Sequence, residues 1–199
     1  MSPIKTMLAA IAMSFGTAAV VAPVASAQGT NVVIIDQAKI MRDSAAGKDI
    51  RTKLQSIGQS IERELQPTAT SLQTEGQQLD AKAQGKTQQQ ILADQALTAE
   101  ITAYARKAQQ FERQSQIAAQ ELALTERKAW NDFFVALRPV MKEVVDERGA
   151  QVMVDRSNAV YTDPSVDVSD LVISKMDAAT PSISVVRQKM PTQTAQPAQ

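Results

Sequence analysis

The sequence predicts a mostly helical chain with a small β part: a long antiparallel helical hairpin projecting from a short-stranded body. Three observations predict it. Small and apolar residues fall at Ile101, Tyr104, Ala108, Phe111, Ser115, Ala118 and Leu122, steps of three and four that keep one seam of a helix against a partner helix. No proline interrupts residues 87–138, and a helix over 87–148 extends on the order of 90 Å at 1.5 Å per residue, too long for the core of an ordinary globular domain. Short runs rich in β-branched residues, Val32-Val33-Ile34-Ile35 and Val152-Met153-Val154, flank the helical stretch and read as strands.

The first 27 residues read as a secretory signal peptide. One basic residue, Lys5, precedes an apolar segment that ends in Ala25-Ser26-Ala27, a small-residue cleavage pattern. The chain has no cysteine, so neither a lipid-anchored cysteine nor a disulfide is available, and stability must come from packing or oligomerisation. Residues 28–46 hold the first strand, buried on both faces, and a short helix that Asp36 caps. Residues 43–47 read as a loosened turn.

The hairpin spans residues 47–149. Its first helix runs over about 48–83 with a stripe at Leu54, Ile57, Ile61, Leu65, Ala69, Leu72, Gly76 and Leu79. Pro67 lies inside it and removes one helical hydrogen bond, so it reads as a kink or a hinge. The tip lies at 84–87, where Gly85 suits a helix end and Thr87 a helix start. The second helix carries the seam already named. Beyond Leu122 the seam shifts to Glu126, Trp130, Phe133, Leu137, Val140 and Val144, a stutter that locally unwinds a supercoil. Around Trp130 the helix is too apolar for one seam and enters the body, kinked at Pro139 and ended by Gly149. Residues 150–178 read as a β-hairpin (152–155 and 159–161) and a short helix. Residues 179–199, with Pro181, Pro191 and Pro197, read as a disordered tail.

Composition excludes several classes. The 172 residues after the signal carry a formal charge of −1, without the basic excess of a nucleic-acid binder. Residues 47–149 hold 14 basic and 14 acidic residues, interspersed as on solvated helix faces. No histidine or cysteine exists, so the commonest general base, nucleophile and metal ligands are missing, and the chain reads as neither an enzyme nor a cofactor binder. No glycine-rich phosphate loop occurs, so no ATP site is expected.

The order of elements, with Val33-Ile34-Ile35-Asp36, then Val152-Met153-Val154-Asp155-Arg156-Ser157-Asn158-Ala159-Val160-Tyr161 and Val166-Asp167-Val168-Ser169-Asp170, resembles the Skp/OmpH family of periplasmic chaperones over about residues 31–177. The resemblance implies a jellyfish-like homotrimer whose hairpins are tentacles around a cavity. It implies a soluble periplasmic holdase that works without ATP and binds unfolded outer-membrane β-barrel proteins, with transient contact at a membrane surface. Val33, Ile35, Trp130, Val152, Val154, Val160 and Tyr161 would build the trimer body or interface, and Pro67 a hinge. One departure concerns the basic clusters of the family's tentacles. Here only Arg113 is basic between Phe111 and Gln120, so no lipopolysaccharide site is carried over. The alternative is an envelope coiled-coil adaptor, or a partner of a single folded envelope protein, without chaperone activity.

Overall fold

The computed structural model describes residues 30–190. The expected signal peptide over 1–27 lies outside the described residues, as do residues 191–199 of the expected tail. The described chain is mostly helical with one two-stranded sheet.

The two strands, β1 (Val32–Ile35) and β2 (Val152–Asp155), pair in parallel, Val32 against Val152 and Ile35 against Asp155. On its other side β1 receives the Val168 N–H on the Ile34 carbonyl at 2.9 Å. The expected β-hairpin is not formed. The partner of β2 is β1, and the Asp155 carboxylate accepts the Ser157 N–H at 2.8 Å, turning residues 156–158 into a short 3-10 helix. Residues 159–161 then leave the sheet unpaired.

Helix α1 (Gln37–Asp43) is capped by Asp36, which accepts the Lys39 N–H at 2.8 Å. Helix α2 (Ala45–Ala83) follows at once. The turn expected over 43–47 is reduced to Ser44, whose hydroxyl accepts the Gly47 N–H at 3.1 Å, while Ala45 N–H is taken by Asp177 at 2.7 Å. Two side chains thus satisfy donors that a helix start leaves open. α2 is continuous through the exposed Pro67. Its buried and half-buried residues include Leu54, Ile57, Ile61, Leu65, Ala69, Leu72 and Leu79.

After Gly85, with φ +77°, the expected single second helix is two: α3 (Gln88–Ala93) and α4 (Gln95–Glu147). Asp94 makes the break. Its carboxylate accepts the Leu97 N–H at 3.1 Å, so it serves α4 as a cap rather than continuing α3. Lys86–Asp94 (2.9 Å), Lys82–Glu100 and Glu75–Lys107 join residues of rising and falling number, so α4 runs back along α2. Gly149, with φ +57°, ends α4, and Asn31 Nδ2 donates to the Arg148 carbonyl at 2.9 Å.

The seam of α4 also departs from expectation below Leu122. Thr125 and Ala129 are buried, Glu126 is exposed and Trp130 is half-buried. The consecutive steps of four run Thr125, Ala129, Phe133, Leu137: the first two lie one residue before the expected Glu126 and Trp130, and Phe133 and Leu137 are as expected. Phe133, Leu137 and Val144 are fully buried with Ile40, Ile50 and the α5 (Ser169–Ala179) residues Val172 and Met176. This is the body, and no described helix is long and apolar enough to cross a membrane.

The tail expectation needs correction for residues 181–190. They run extended along α2 and α4, with Ile183 buried. Apolar contact and a set of buried polar partners hold them.

Candidate functional site

Two regions of the surface carry features that packing within one chain does not use. The first is the body edge. Val160 and Tyr161 are 108% and 81% exposed, and Val152, at the start of β2, is exposed as well. Among the described residues, the far edge of β2 has no strand against it. Short strands with open edges invite pairing with another chain. Of the other residues expected at an interface, Val154 and Trp130 are half-buried. Trp130 sits edge-to-face on Phe133, centroids 5.7 Å apart. Val33 and Ile35 are covered by their own chain's core, so they support the edge without reaching a partner.

The family-like motif of residues 152–170 holds this edge in place. Asp167 accepts both the N–H (2.9 Å) and the hydroxyl (2.6 Å) of Ser169, and Ser169 Oγ accepts the Asp36 N–H at 2.8 Å. Asp155 accepts the Gln37 N–H at 3.1 Å. The two aspartates thus pin the starts of α1 and α5 to the C-terminal ends of the strands. Burial alone would raise the Asp167 carboxyl, yet the Ser169 donors, Arg156 and Lys39 hold it below its usual range. The Ser157 hydroxyl and N–H hold Asp155 below as well. These carboxylates are structural caps.

The second region is the arm of α2 and α4. On α4, Ile117, Leu124 and Val135 are exposed. Their separations of 7 and 11 residues are close to whole turns of helix, so they share one face, beside the buried seam. Arg113, Arg127 and Arg138 are interleaved with them. Pro67 lies mid-arm on the outside of α2.

At the root of the arm lies a cluster that the periodicity of the sequence does not show. Glu121 of α4 is 5% exposed. Its carboxylate receives Arg187 Nε at 2.8 Å and the Met190 N–H at 3.0 Å, with Lys189 at 3.5 Å. Arg187 also reaches Glu64 of α2 at 2.7 Å. Burial pushes the Glu121 carboxyl up, and these donors together bring it below its usual value. Nearer the body, Asp49 accepts the Ile183 N–H at 3.1 Å and the Ser182 hydroxyl at 2.8 Å. Thr125 Oγ1 accepts the Gln188 N–H at 2.8 Å. The one sequence signal for this cluster is a charged residue, Glu121, one place before the seam position Leu122.

The comparisons with known proteins follow the fold. The family model for OmpH, outer membrane protein (OmpH-like), matches residues 31–176. A solved structure from Caulobacter crescentus CB15, described as an outer membrane chaperone (OmpH-like), superposes with a TM-score of 0.71 at 26% identity, over 82% of this chain and 94% of that one. No curated protein matches.

Proposed function

Since the chain belongs to the OmpH-like family, we propose that it is an ATP-independent periplasmic holdase that takes up unfolded outer-membrane β-barrel proteins and keeps them from aggregating. The observation that carries this reading is the exposed face of Ile117, Leu124 and Val135 along α4, from the lower arm into the body. α4 alone has 53 residues, about 80 Å of helix. Unfolded barrel segments alternate apolar and polar residues and associate through apolar faces and open edges. A mildly apolar, partly basic arm offers such segments many weak contacts with no fixed register. No covalent chemistry is required of it. The structural neighbour's description as an outer membrane chaperone supports the same reading.

The chain acts as a homotrimer in this proposal. The support is the unpaired edge of β2 and the exposed Val152, Val160 and Tyr161, which a symmetric oligomer would cover. Three arms then enclose a cavity, and Pro67 lets their outer parts adjust to client size. Export by a cleaved signal over residues 1–27 places the protein in the periplasm.

The test is the native mass and light scattering of residues 28–199 mixed with a barrel protein diluted from urea. The expected result is a soluble complex of three chains with one client. If the client pellets while this protein runs alone as a monomer or dimer, the reading is wrong, and an envelope coiled-coil adaptor takes its place.

A further inference from the structure

Residues 181–190 are an extended segment seated along the root of the arm. Its inward residues alternate with outward ones: Ile183 is buried and Val185 and Arg187 are half-buried, whereas Ser182, Ser184 and Val186 are exposed. That is a period of two, the pattern of a strand with one apolar face. Among the described residues no strand lies beside it. Its backbone donors go instead to side chains of the helices: Ile183 N–H to Asp49 at 3.1 Å, Gln188 N–H to Thr125 at 2.8 Å, and Met190 N–H to Glu121 at 3.0 Å. Three acceptors on two helices therefore bind main chain, which every polypeptide offers.

We infer that this groove between α2 and α4 is a binding surface for an extended segment of unfolded client, and that residues 181–190 occupy it in place of a client. The inference rests on the holdase reading and says where on the arm the client's main chain is held. Three features fit that occupant. Recognition of backbone N–H groups by fixed carboxylates and a hydroxyl is indifferent to sequence. The apolar seat of Ile183 and Val185 takes alternate side chains, as in strand-like peptide recognition. Ala129, Lys128 and Asp132 line the outer part of the groove together with Thr125, so aliphatic, basic and acidic side chains each find a neighbour there.

The segment also sets the strength of binding. A client must displace it, so the observed affinity falls by the fraction of time the groove is open. Arg187 is its anchor, joined to Glu64 at 2.7 Å and Glu121 at 2.8 Å. Loosening that anchor opens the groove, at the cost of leaving Glu121 with Lys189, at 3.5 Å, as its one cation.

The chain lacks cysteine, so a single Val186→Cys substitution at an exposed position accepts a nitroxide label in the otherwise unaltered full-length mature chain. The label's spectrum is recorded with rising amounts of a transmembrane barrel polypeptide diluted from urea. The expected result is an immobile label that becomes mobile in step with client binding. In parallel, Arg187→Ala tightens client binding on the order of tenfold, the effect of removing a charged hydrogen bond that keeps the groove closed, while Arg187→Lys falls between. Client that binds with the label still immobile, and with equal affinity for Arg187→Ala, overturns the inference and leaves the holdase reading standing. Client that does not bind at all overturns both.

Discussion

A Cβ placed on Gly47 would lie 1.9 Å from the carbonyl oxygen of Met41. The two residues meet where α1 ends and α2 begins, around the buried Ser44 that caps α2. The close approach fixes the angle between the helix that supports β1 and the arm. By contrast, a Cβ on Gly58, about three turns of helix further along α2, meets nothing within 4 Å.

Substitutions at the two glycines therefore have opposite signs. Gly47→Ala forces backbone apart and destabilises the fold by about 3 kcal/mol, as overpacking does. Gly58→Ala removes a mid-helix glycine and stabilises by about 1 kcal/mol. Urea unfolding of the two variants beside the parent gives the comparison; equal midpoints would show that the corner at Gly47 is not tight.

Phe133 is the largest fully buried side chain and touches both Trp130 and Phe134 edge-to-face. Phe133→Ala is expected to cost about 3–5 kcal/mol. Trp130 is the sole tryptophan, so its fluorescence reports the loss directly as a lowered unfolding midpoint.

Val160 and Tyr161 project into solvent from a segment with no partner. Val160→Asp with Tyr161→Ser removes apolar surface that no contact within the chain uses, so helical content stays near that of the parent. The native mass is expected to fall towards that of one chain. An unchanged mass excludes this edge as the contact between copies.

Ile117, Leu124 and Val135 share a face that the fold leaves open. Changing all three to serine spares the core and weakens the capture of unfolded barrel protein on the order of a hundredfold, in line with the loss of about 1 kcal/mol of apolar contact per side chain. Light scattering during dilution of the client from urea measures it; full protection by the triple variant removes this face from the mechanism.

Acid releases the segment that covers the arm's root. Glu121 and Asp49 are both held below their ordinary values of 4.5 and 3.8. A carboxylate depressed in the folded state contributes all its stabilisation above the ordinary value, and loses it as pH falls through the lower folded value. The charged groups facing Glu121 are Arg187, Lys189 and Glu64, and no histidine is present to titrate near neutrality. The mobility of a label at residue 186 is thus expected to be constant from pH 8 to about 5 and to rise below about 4. A rise centred near pH 6.5 contradicts the assignment.

The first helix of the arm was legible because its partner lies along one stripe. Ile61 and Leu72 stand out in a polar helix, and both are buried. The lower half of α4 was less so. Trp130 draws the eye as a core residue, but small Ala129 and Thr125 face the partner, since close helix packing and the covering segment leave room only for short side chains there. The break at Asp94 was hidden because aspartate is tolerated in a helix, and only the bond to the Leu97 N–H reveals the cap. Residues 159–161 look like a strand from composition, yet strand pairing depends on a partner distant in the chain. The seat of residues 181–190 had no local signal either. Arg187 and Glu121 are 66 residues apart, and an alternating run of so few residues is no different, as text, from a stretch of linker.

The parallel register of β1 and β2 joins Val32 to Val152. The first strand of the body thus waits for a partner 120 residues later, and loop closure over that distance is slow unless the intervening chain shortens it. The two long helices do so: once they fold back on each other, they return the chain to its starting point. Contact order therefore favours an arm that forms before the sheet closes. Until then the run Val32-Val33-Ile34-Ile35 stands open, a sticky edge of the kind that needs protection during biogenesis. A protein of this design exposes its first strand 120 residues before the chain supplies that strand's partner.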